Sequence, residues 1–515
     1  MTEIQHWADK YAEQVIEKNP DKEQYTIETG ITPSGIVHAG NFREILTQNL
    51  VYKALKQKGE NVKYLYFWDD YDRFRKVPKG IDKSWKEYIG IPVSETPDPW
   101  NCHESYASHF KNNVKEDIKK LDIKNITFKS ASEEYKKGTF TELIKKALEN
   151  QDKIRKILNK YREEPHKDEW TPIRVYCEEC GKDTTNAEYI GDYELKYECE
   201  CGEESILNFK NNPGNAKLPW RIDWPMRWSY YNVDFESSGK EHQASGGSVD
   251  TAVPICREVF NQEPPIQPMY EFVSRKGQKG KMSSSEGNVI KIKDLLEVYE
   301  PPVAKFMYTG KINKAFHIPF DEEVINIYKR FDRAEKAYFE DGEKNKARKY
   351  ELSNSEIPEK QPQRIPFGFC STIAQVAEDE EKRKEILKRT GHLEDPSEIE
   401  MEMALDRIER AGNWIEKYAP EKYIYEIKEE LPKIDIDEEI AELYKEVAGK
   451  VEKGMKGQEL QQFIYETAKE RDLDLGEVFK TGYKLILGQE QGPRLGPYLT
   501  TLDQNFIVKR LKREA

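Results

Sequence analysis

The chain has 515 residues, 34% of them charged, and its 82 Lys and Arg against 95 Asp and Glu give a net charge of −13. At roughly 150 residues per domain this length predicts three or four domains, and no apolar run approaches the ~20 residues that span a membrane. The acidity argues against a protein that coats nucleic acid indiscriminately, but not against RNA held by local fields; basic clusters run from Lys76 to Lys86, Lys153 to Arg162, Lys344 to Lys349 and Lys509 to Arg513.

The β-branched and aromatic run Tyr25 to Ile31 predicts a strand, broken by Pro33, Ser34 and Gly35. From Asn41 onward Phe42, Ile45, Leu46, Leu50, Ala54 and Leu55 recur at helical spacing until Gly59, and Val62 to Trp68 predicts a second strand closed by Asp69 and Asp70. Strand, turn, helix and strand make a βαβ unit and hence a parallel sheet, whose ligands bind at the carboxyl ends of the strands. The turn Thr32 to Gly40 lies there, at the amino end of a helix whose N–H groups and dipole attract anions. His38 and Asn41 add side-chain donors, and Gly35 and Gly40 let a nucleotide approach the backbone. An ordinary strand–helix turn capped by Asn41 is the plainer alternative.

Amphipathic helices follow around Ile144, Ala147, Leu148, Ile154, Ile157 and Leu158. Four of the seven cysteines then form Cys177-x-x-Cys180, an 18-residue gap, and Cys199-x-Cys201, with a hairpin-like stretch from Thr184 to Tyr197 between them. This spacing suits a zinc ribbon whose four thiolates close the coordination shell, which makes the metal structural. Disulfides are the alternative. The other cysteines (Cys102, Cys256, Cys370) are scattered and no export segment is apparent, so the expected location is the cytoplasm.

Further on, Ser245-Gly246-Gly247-Ser248-Val249-Asp250 would let a ribose approach two glycines with its hydroxyls near a carboxylate; a common loop is the alternative. Ser274 to Asn288 is rich in Gly and Ser and carries Arg275, Lys276, Lys279 and Lys281, an electrostatic clamp for a triphosphate or a solvated basic loop. After Glu300-Pro301-Pro302 the chain turns helical, with helix-compatible spacing over Glu378–Lys388, Glu398–Tyr418, Asp437–Glu452 and Glu459–Arg471; a Gly/Pro-dense stretch, Gly488 to Tyr498, interrupts near the end.

Thr32 to Asn41, answered some 240 residues later by Lys281-Met282-Ser283-Ser284-Ser285, resembles the two signature motifs of class I aminoacyl-tRNA synthetases. His38 to Asn41 stands for the "HIGH" element and Lys281 to Ser285 for the "KMSKS" loop. Asn41 replaces the second His and Ser284 the second Lys, so the clamp leans on Lys279 and Lys281. Further segments resemble the archaeal-type class I lysyl-tRNA synthetases, in which both departures are usual. They are Gly30 to Gly35, Asp69 to Pro78, Pro219 to Trp228, Lys240 to Ser248 and Gly492 to Leu499, and the likeness spans essentially the whole chain.

The resemblance implies an α/β fold. A Rossmann-like parallel-sheet catalytic core (20–100 and 215–292) is split by an insertion (101–214) bearing a zinc ribbon (177–201). A stem-contact region (293–350) and an all-α anticodon-binding domain (351–515) follow. The implied function is lysine–tRNA ligase: ATP, with Mg²⁺, activates L-lysine to lysyl-adenylate, and the lysyl group passes to the terminal adenosine of tRNA(Lys), at the 2′-hydroxyl first. Carried onto this sequence, the catalytic residues are His38, Asn41, Lys279 and Lys281. ATP falls to Pro33, Ser34, Gly35, His38, Gly40, Asn41, Gly246, Gly247, Asp250, Lys281, Met282, Ser283 and Ser284. Lysine falls to Gly30, Thr32, Trp220, His242 and Tyr270, and structural Zn²⁺ to Cys177, Cys180, Cys199 and Cys201. Asp223 is added on physical grounds, because a buried ammonium needs an acceptor. Core packing is the alternative for each aromatic, and a hydrogen-bonded structural role for His242. Rival readings are a synthetase for glutamate or cysteine and a non-catalytic RNA-binding relative. Oligomeric state is left open.

Overall fold

A computed structural model of the protein describes residues 5–277, 282 and 289–514. Lys279, Lys281, Ser283 and Ser284, expected at the phosphates, lie outside the described residues. The chain divides into two compact units.

The first unit takes in the chain to Lys293 together with 305–318 and 352–355. After α1 (Trp7–Lys18), strand β1 (Tyr25–Ile31) pairs in parallel with β2 (Val62–Trp68), and β2 with β3 (Ile126–Ser130). On the other edge of β1, Phe235 forms a parallel bridge with Ile27 and a second with Ile266. The same two segments pair again at Ser238–Gly239 and Met269–Tyr270. Counting them as fourth and fifth strands gives the order 3-2-1-4-5, in which the winding reverses between the first strand and the fourth. Helix α2 (Phe42–Gln57) makes the crossover from β1 to β2. Apolar and polar side chains alike are buried around most of its circumference, as expected of a helix enclosed by protein. Gly30 is required by the sheet itself: a Cβ there would sit 2.6 Å from the Phe67 carbonyl oxygen.

Two further helices, Thr141–Glu149 and Gln151–Asn159, bury the expected apolar positions Ile144, Ala147, Leu148, Ile154, Ile157 and Leu158 in a core shared with Leu195, Tyr197 and Leu207. Those last residues belong to an antiparallel sheet of three strands, Thr185–Gly191, Glu194–Cys199 and Glu204–Asn208.

The second unit comprises 294–304, 319–351 and the chain from 356 onward, and among its described residues it is helical without strands. Its helices include Glu380–Thr390, Glu398–Lys417, Glu438–Glu452 and Gly457–Glu470, each close to the expected span. Gly488, in the left-handed region at φ +68°, ends the helix Leu475–Leu487 where the Gly/Pro stretch begins. An apolar core forms around Leu443, Val447, Leu460, Ile464 and Leu485. A second anchor is electrostatic: buried Arg407 meets Glu300 at 2.6 Å and Asp332 at 3.1 Å, and Arg364 meets Glu335 at 3.0 Å.

Candidate active site

The reversal between the first and fourth strands opens a crevice at their carboxyl ends, where parallel sheets hold ligands. The turn after β1 arrives there. Its conformation is locked by its own side chains: Asn41 Oδ1 accepts from the His38 N–H at 3.1 Å, and His38 Nδ1 accepts from the Gly40 N–H at 3.1 Å. Asn41 therefore braces the turn, and it makes no side-chain cap to α2. A neutral imidazole that accepts at Nδ1 carries its proton on Nε2, so His38 offers an N–H donor at the amino end of α2. Gly40 admits the ring, because a Cβ there would lie 2.8 Å from it. The turn is tied down from outside as well. Ala39 N–H donates to the Ile290 carbonyl (2.8 Å), and Tyr308 hydroxyl donates to the Ala39 carbonyl (2.8 Å). Met282, the one described residue of the second motif, is buried, and its Cε would lie 3.3 Å from a Cβ at Gly40.

Glu44, in the first turn of α2, joins several of the expected residues. One carboxylate oxygen accepts from Thr29 Oγ1 at 2.6 Å, the other from the Tyr270 hydroxyl at 3.3 Å, and Gly30 contributes a backbone hydrogen bond. The enclosing protein pushes Glu44 up to about 7, against the pull of those hydrogen bonds, although part of its surface stays exposed. Sequence reasoning passed over Glu44, since an acid in a first helical turn is unremarkable.

On the other side of the crevice stands the helix Trp220–Tyr231. Trp220 Nε1 and His242 Nδ1 both lie 3.4 Å from Ser248 Oγ, and the Trp220 and His242 rings are 6.4 Å apart. Gly247 begins the helix Ser248–Glu258, and a Cβ on it would strike the His242 carbonyl oxygen at 2.4 Å. Asp250 folds back to accept from the Gly246 N–H at 2.8 Å, with Gly246 at φ +76°. Arg221 holds this loop through the Gly246 and Gly247 carbonyls at 3.1 and 3.0 Å.

Beneath the crevice is a buried ionic cluster with more acids than bases. Arg227 donates to Asp69 at 2.9 Å and lies 3.6 Å from Asp223 and 3.9 Å from Glu28. Asp223 is 0% exposed, with Oδ1 accepting from the Tyr135 hydroxyl. Among the described residues, neither oxygen of Glu28 nor Asp223 Oδ2 has a hydrogen-bond donor. Burial raises Glu28 and Asp69 to about 7 in spite of Arg227. Glu236 is also raised well above its ordinary value by burial and by Glu28, although Trp224 and Trp228 both donate to it, at 2.9 and 2.5 Å. This surplus favours an added cation at the crevice.

Alongside the turn opens a cavity of about 950 Å³ that begins at Thr32, Ser34 and Gly35, with Arg75, Lys76, Lys79, Lys120, Lys291 and Lys293 in its lining. It suits a polyanion. Away from it, the four expected cysteines converge: Cys177 Sγ lies 3.7 Å from Cys201 Sγ, and Cys180 Sγ 3.6 Å from Cys199 Sγ. Tetrahedral Zn–S bonds of ~2.3 Å place sulfurs about 3.8 Å apart, so the donor set fits zinc. Gly181 (φ +71°) and Gly202 (φ +98°) make the tight turns that bring each pair together.

The family model described as tRNA synthetases class I (K) matches residues 5–356. The chain is 44% identical to the lysine–tRNA ligase of Pyrococcus horikoshii, with 99% of each chain covered. It is 43% identical to that of Thermococcus kodakarensis, again with 99% of each covered. With the lysine–tRNA ligase of Methanocaldococcus jannaschii the identity is 40%, over 98% of this chain and 99% of the relative.

Proposed function

The chain belongs to the tRNA synthetases class I (K), and from that premise we propose how its own residues perform the reaction. The protein is a lysine–tRNA ligase, which activates L-lysine with ATP and charges tRNA(Lys). In the first step the lysine carboxylate attacks the α-phosphorus and diphosphate leaves; in the second, a hydroxyl of the terminal adenosine, the 2′ first, attacks the lysyl carbonyl and AMP leaves.

His38, with Nε2–H as donor, and Asn41 meet the phosphates at the amino end of α2, where charge builds up in the transition state. Pro33, Ser34, Gly35 and Gly40 let the nucleotide lie against the turn. Gly246, Gly247 and Asp250 take the ribose. Lys279 and Lys281, with Met282, Ser283 and Ser284, draw off diphosphate. Mg²⁺, arriving with the triphosphate, would neutralise part of its charge. Most of the rate gain is positioning and charge stabilisation.

Trp220 and Tyr270 flank the aliphatic stem of lysine, with Gly30, Thr32 and His242 completing the pocket. Glu44 is the acceptor for a substrate ammonium, because it is a partly exposed carboxylate that Thr29 and Tyr270 hold in place. Asp223, fully buried against Tyr135 and Arg227, acts from beneath, adding negative potential. The 3′ end of tRNA enters the cation-lined cavity beside Ser34. The region 293–350 meets the stem and the helical part from 351 reads the anticodon. Cys177, Cys180, Cys199 and Cys201 hold a structural Zn²⁺ in the insertion, and the protein works in the cytoplasm, where tRNA is charged.

The observation that supports this reading is that Glu44, in the first turn of the helix opened by the His38 turn, accepts from the Tyr270 hydroxyl across the reversal of the sheet. A crystal structure with the sulfamoyl analogue of lysyl-adenylate tests it. The ε-ammonium is expected on Glu44 and the sulfamoyl group beside His38; an analogue bound elsewhere overturns the assignment.

A further inference from the structure

The peptide unit between Ala39 and Gly40 makes two hydrogen bonds in opposite directions. Its N–H donates to His38 Nδ1 at 3.1 Å, and its carbonyl oxygen accepts from the Tyr308 hydroxyl at 2.8 Å. A trans peptide is planar, with C=O and N–H on opposite sides, so whatever fixes the oxygen also aims the N–H. The preceding unit is held separately. Its N–H donates to the Ile290 carbonyl, and its oxygen, that of His38, accepts from the N–H groups of Asn41 and Phe42 at 2.9 and 3.1 Å. At Gly40 an outside hold matters more, because glycine allows the backbone wider rotation than any other residue.

Tyr308 is itself firmly placed. It is the last residue of the helix Pro301–Tyr308 and is 1% exposed. Its ring meets Phe316 edge-on, with centroids 5.1 Å apart. The backbone behind the ring is clamped through its carbonyls. Arg43 donates to Tyr308 at 3.3 Å and to Ile312 at 3.0 Å, His6 Nε2 to Thr309 at 2.9 Å, and Trp7 Nε1 to Gly310 at 2.7 Å. Burial raises the Tyr308 phenol far above its ordinary value, so the hydroxyl keeps the proton it donates.

We propose that Tyr308 is a positioning residue for His38: by holding the Ala39–Gly40 peptide, its hydroxyl fixes the imidazole as the tautomer protonated at Nε2. The bond to the carbonyl also polarises the peptide and strengthens its N–H as a donor. With Nδ1 engaged as acceptor, the proton stays on Nε2. Without the hydroxyl, the Gly40 N–H is free to turn away and the tautomer protonated at Nδ1 competes. That form presents an acceptor at Nε2, where developing phosphate charge needs a donor. The consequence for adenylate formation rests on the placing of His38 at the phosphates; the tie from Tyr308 to the tautomer does not.

Nitrogen NMR of the full-length protein labelled with ¹⁵N-histidine, paired with lysine-dependent exchange of diphosphate into ATP, tests the proposal. The His38 signals are those that vanish in His38→Ala. The parent should show His38 protonated at Nε2. In the nearly isosteric Tyr308→Phe the signals should move towards a mixture of tautomers. There kcat for exchange should fall about tenfold, with KM for lysine within about twofold of the parent. 3-Fluorotyrosine at position 308 keeps both ring and hydroxyl, and should keep the parental tautomer and rate. A parent His38 protonated at Nδ1, or a tautomer unmoved in Tyr308→Phe, overturns the proposal. So does a rate loss as large with 3-fluorotyrosine as in Tyr308→Phe, since ring packing is then the cause. A shifted tautomer with unchanged kcat leaves the tie to Tyr308 standing and overturns instead the place of His38 at the phosphates.

Discussion

Replacing Glu44 with Gln keeps the shape of the side chain that meets Thr29 at 2.6 Å and Tyr270 at 3.3 Å, but removes its charge. Glu44 titrates near 7 in the fold, raised by burial from 4.5. A raised carboxyl favours the fold fully below its unfolded value, and that contribution is lost as pH climbs through the folded one. Ionised Glu44 therefore costs the empty protein on the order of 3 kcal/mol above pH 7, reduced to ~1–2 kcal/mol by solvent at its exposed side. Glu44→Gln should thus melt no lower than the parent at pH 8, and somewhat higher. Lysine binding should move the other way, because a charge-assisted pair is lost: about 2–4 kcal/mol, or roughly 30–1000-fold in Kd. An arriving ammonium also expels the proton from Glu44, so parental affinity should fall up to about tenfold per pH unit below 7, and this dependence should flatten in the variant. Titration calorimetry with lysine at pH 6, 7 and 8, paired with scanning calorimetry, reads both effects. A variant Kd within about threefold of the parent at pH 8, or an unchanged pH profile, refutes the role of Glu44.

His38→Ala should lower the rate of adenylate formation by about 10²–10³-fold while leaving lysine Kd nearly unchanged; equal losses in both would contradict its place at the phosphates. Gly40→Ala puts a methyl group 2.8 Å from the His38 ring; it should reproduce that loss of rate and cost about 1–3 kcal/mol of stability, read by denaturant melts. Cys177→Ser should release zinc and loosen the strands from 185 to 208 to proteolysis, with much adenylate formation spared; unaltered metal content would count against the four-cysteine site. Arg227→Met strips the cation from Asp69, Asp223 and Glu28, at a cost of about 3–5 kcal/mol. Because Glu28 and Asp69 titrate near 7, the loss should be smaller at pH 6 than at pH 8, and a thermal melt at each pH shows whether it is.

The β1–α2–β2 unit is legible because each segment has one period and a clear stop: β-branched residues from Tyr25, helical spacing from Phe42, and Gly59 before the next strand. The helices of the second unit are legible for the same reason. Strands four and five are not. Their segment around Phe235 carries Asp234, Glu236, Ser237 and Ser238, all buried, and such polarity hides a strand whose side chains serve an ionic cluster instead of an apolar core. The turn at His38 could be read from its glycines and donors, but the bond from Gly40 to His38 Nδ1 is set by folding. Glu44 looked like an ordinary acid at a helix start. Asp223 is read from the sequence as an acceptor for one of the two lysine amines; its complete burial follows from its place in the Trp220–Tyr231 helix, where Trp224 and Arg227 are buried with it.

Amino-acid-dependent exchange of diphosphate into ATP, run over all twenty amino acids with and without tRNA, tests the central claim most directly. Lysine should support exchange far above every other amino acid, and Glu44→Gln should suppress it at limiting lysine. Exchange driven by glutamate or another amino acid, with lysine inert even when tRNA is present, would contradict the crevice built around Glu44 and His38.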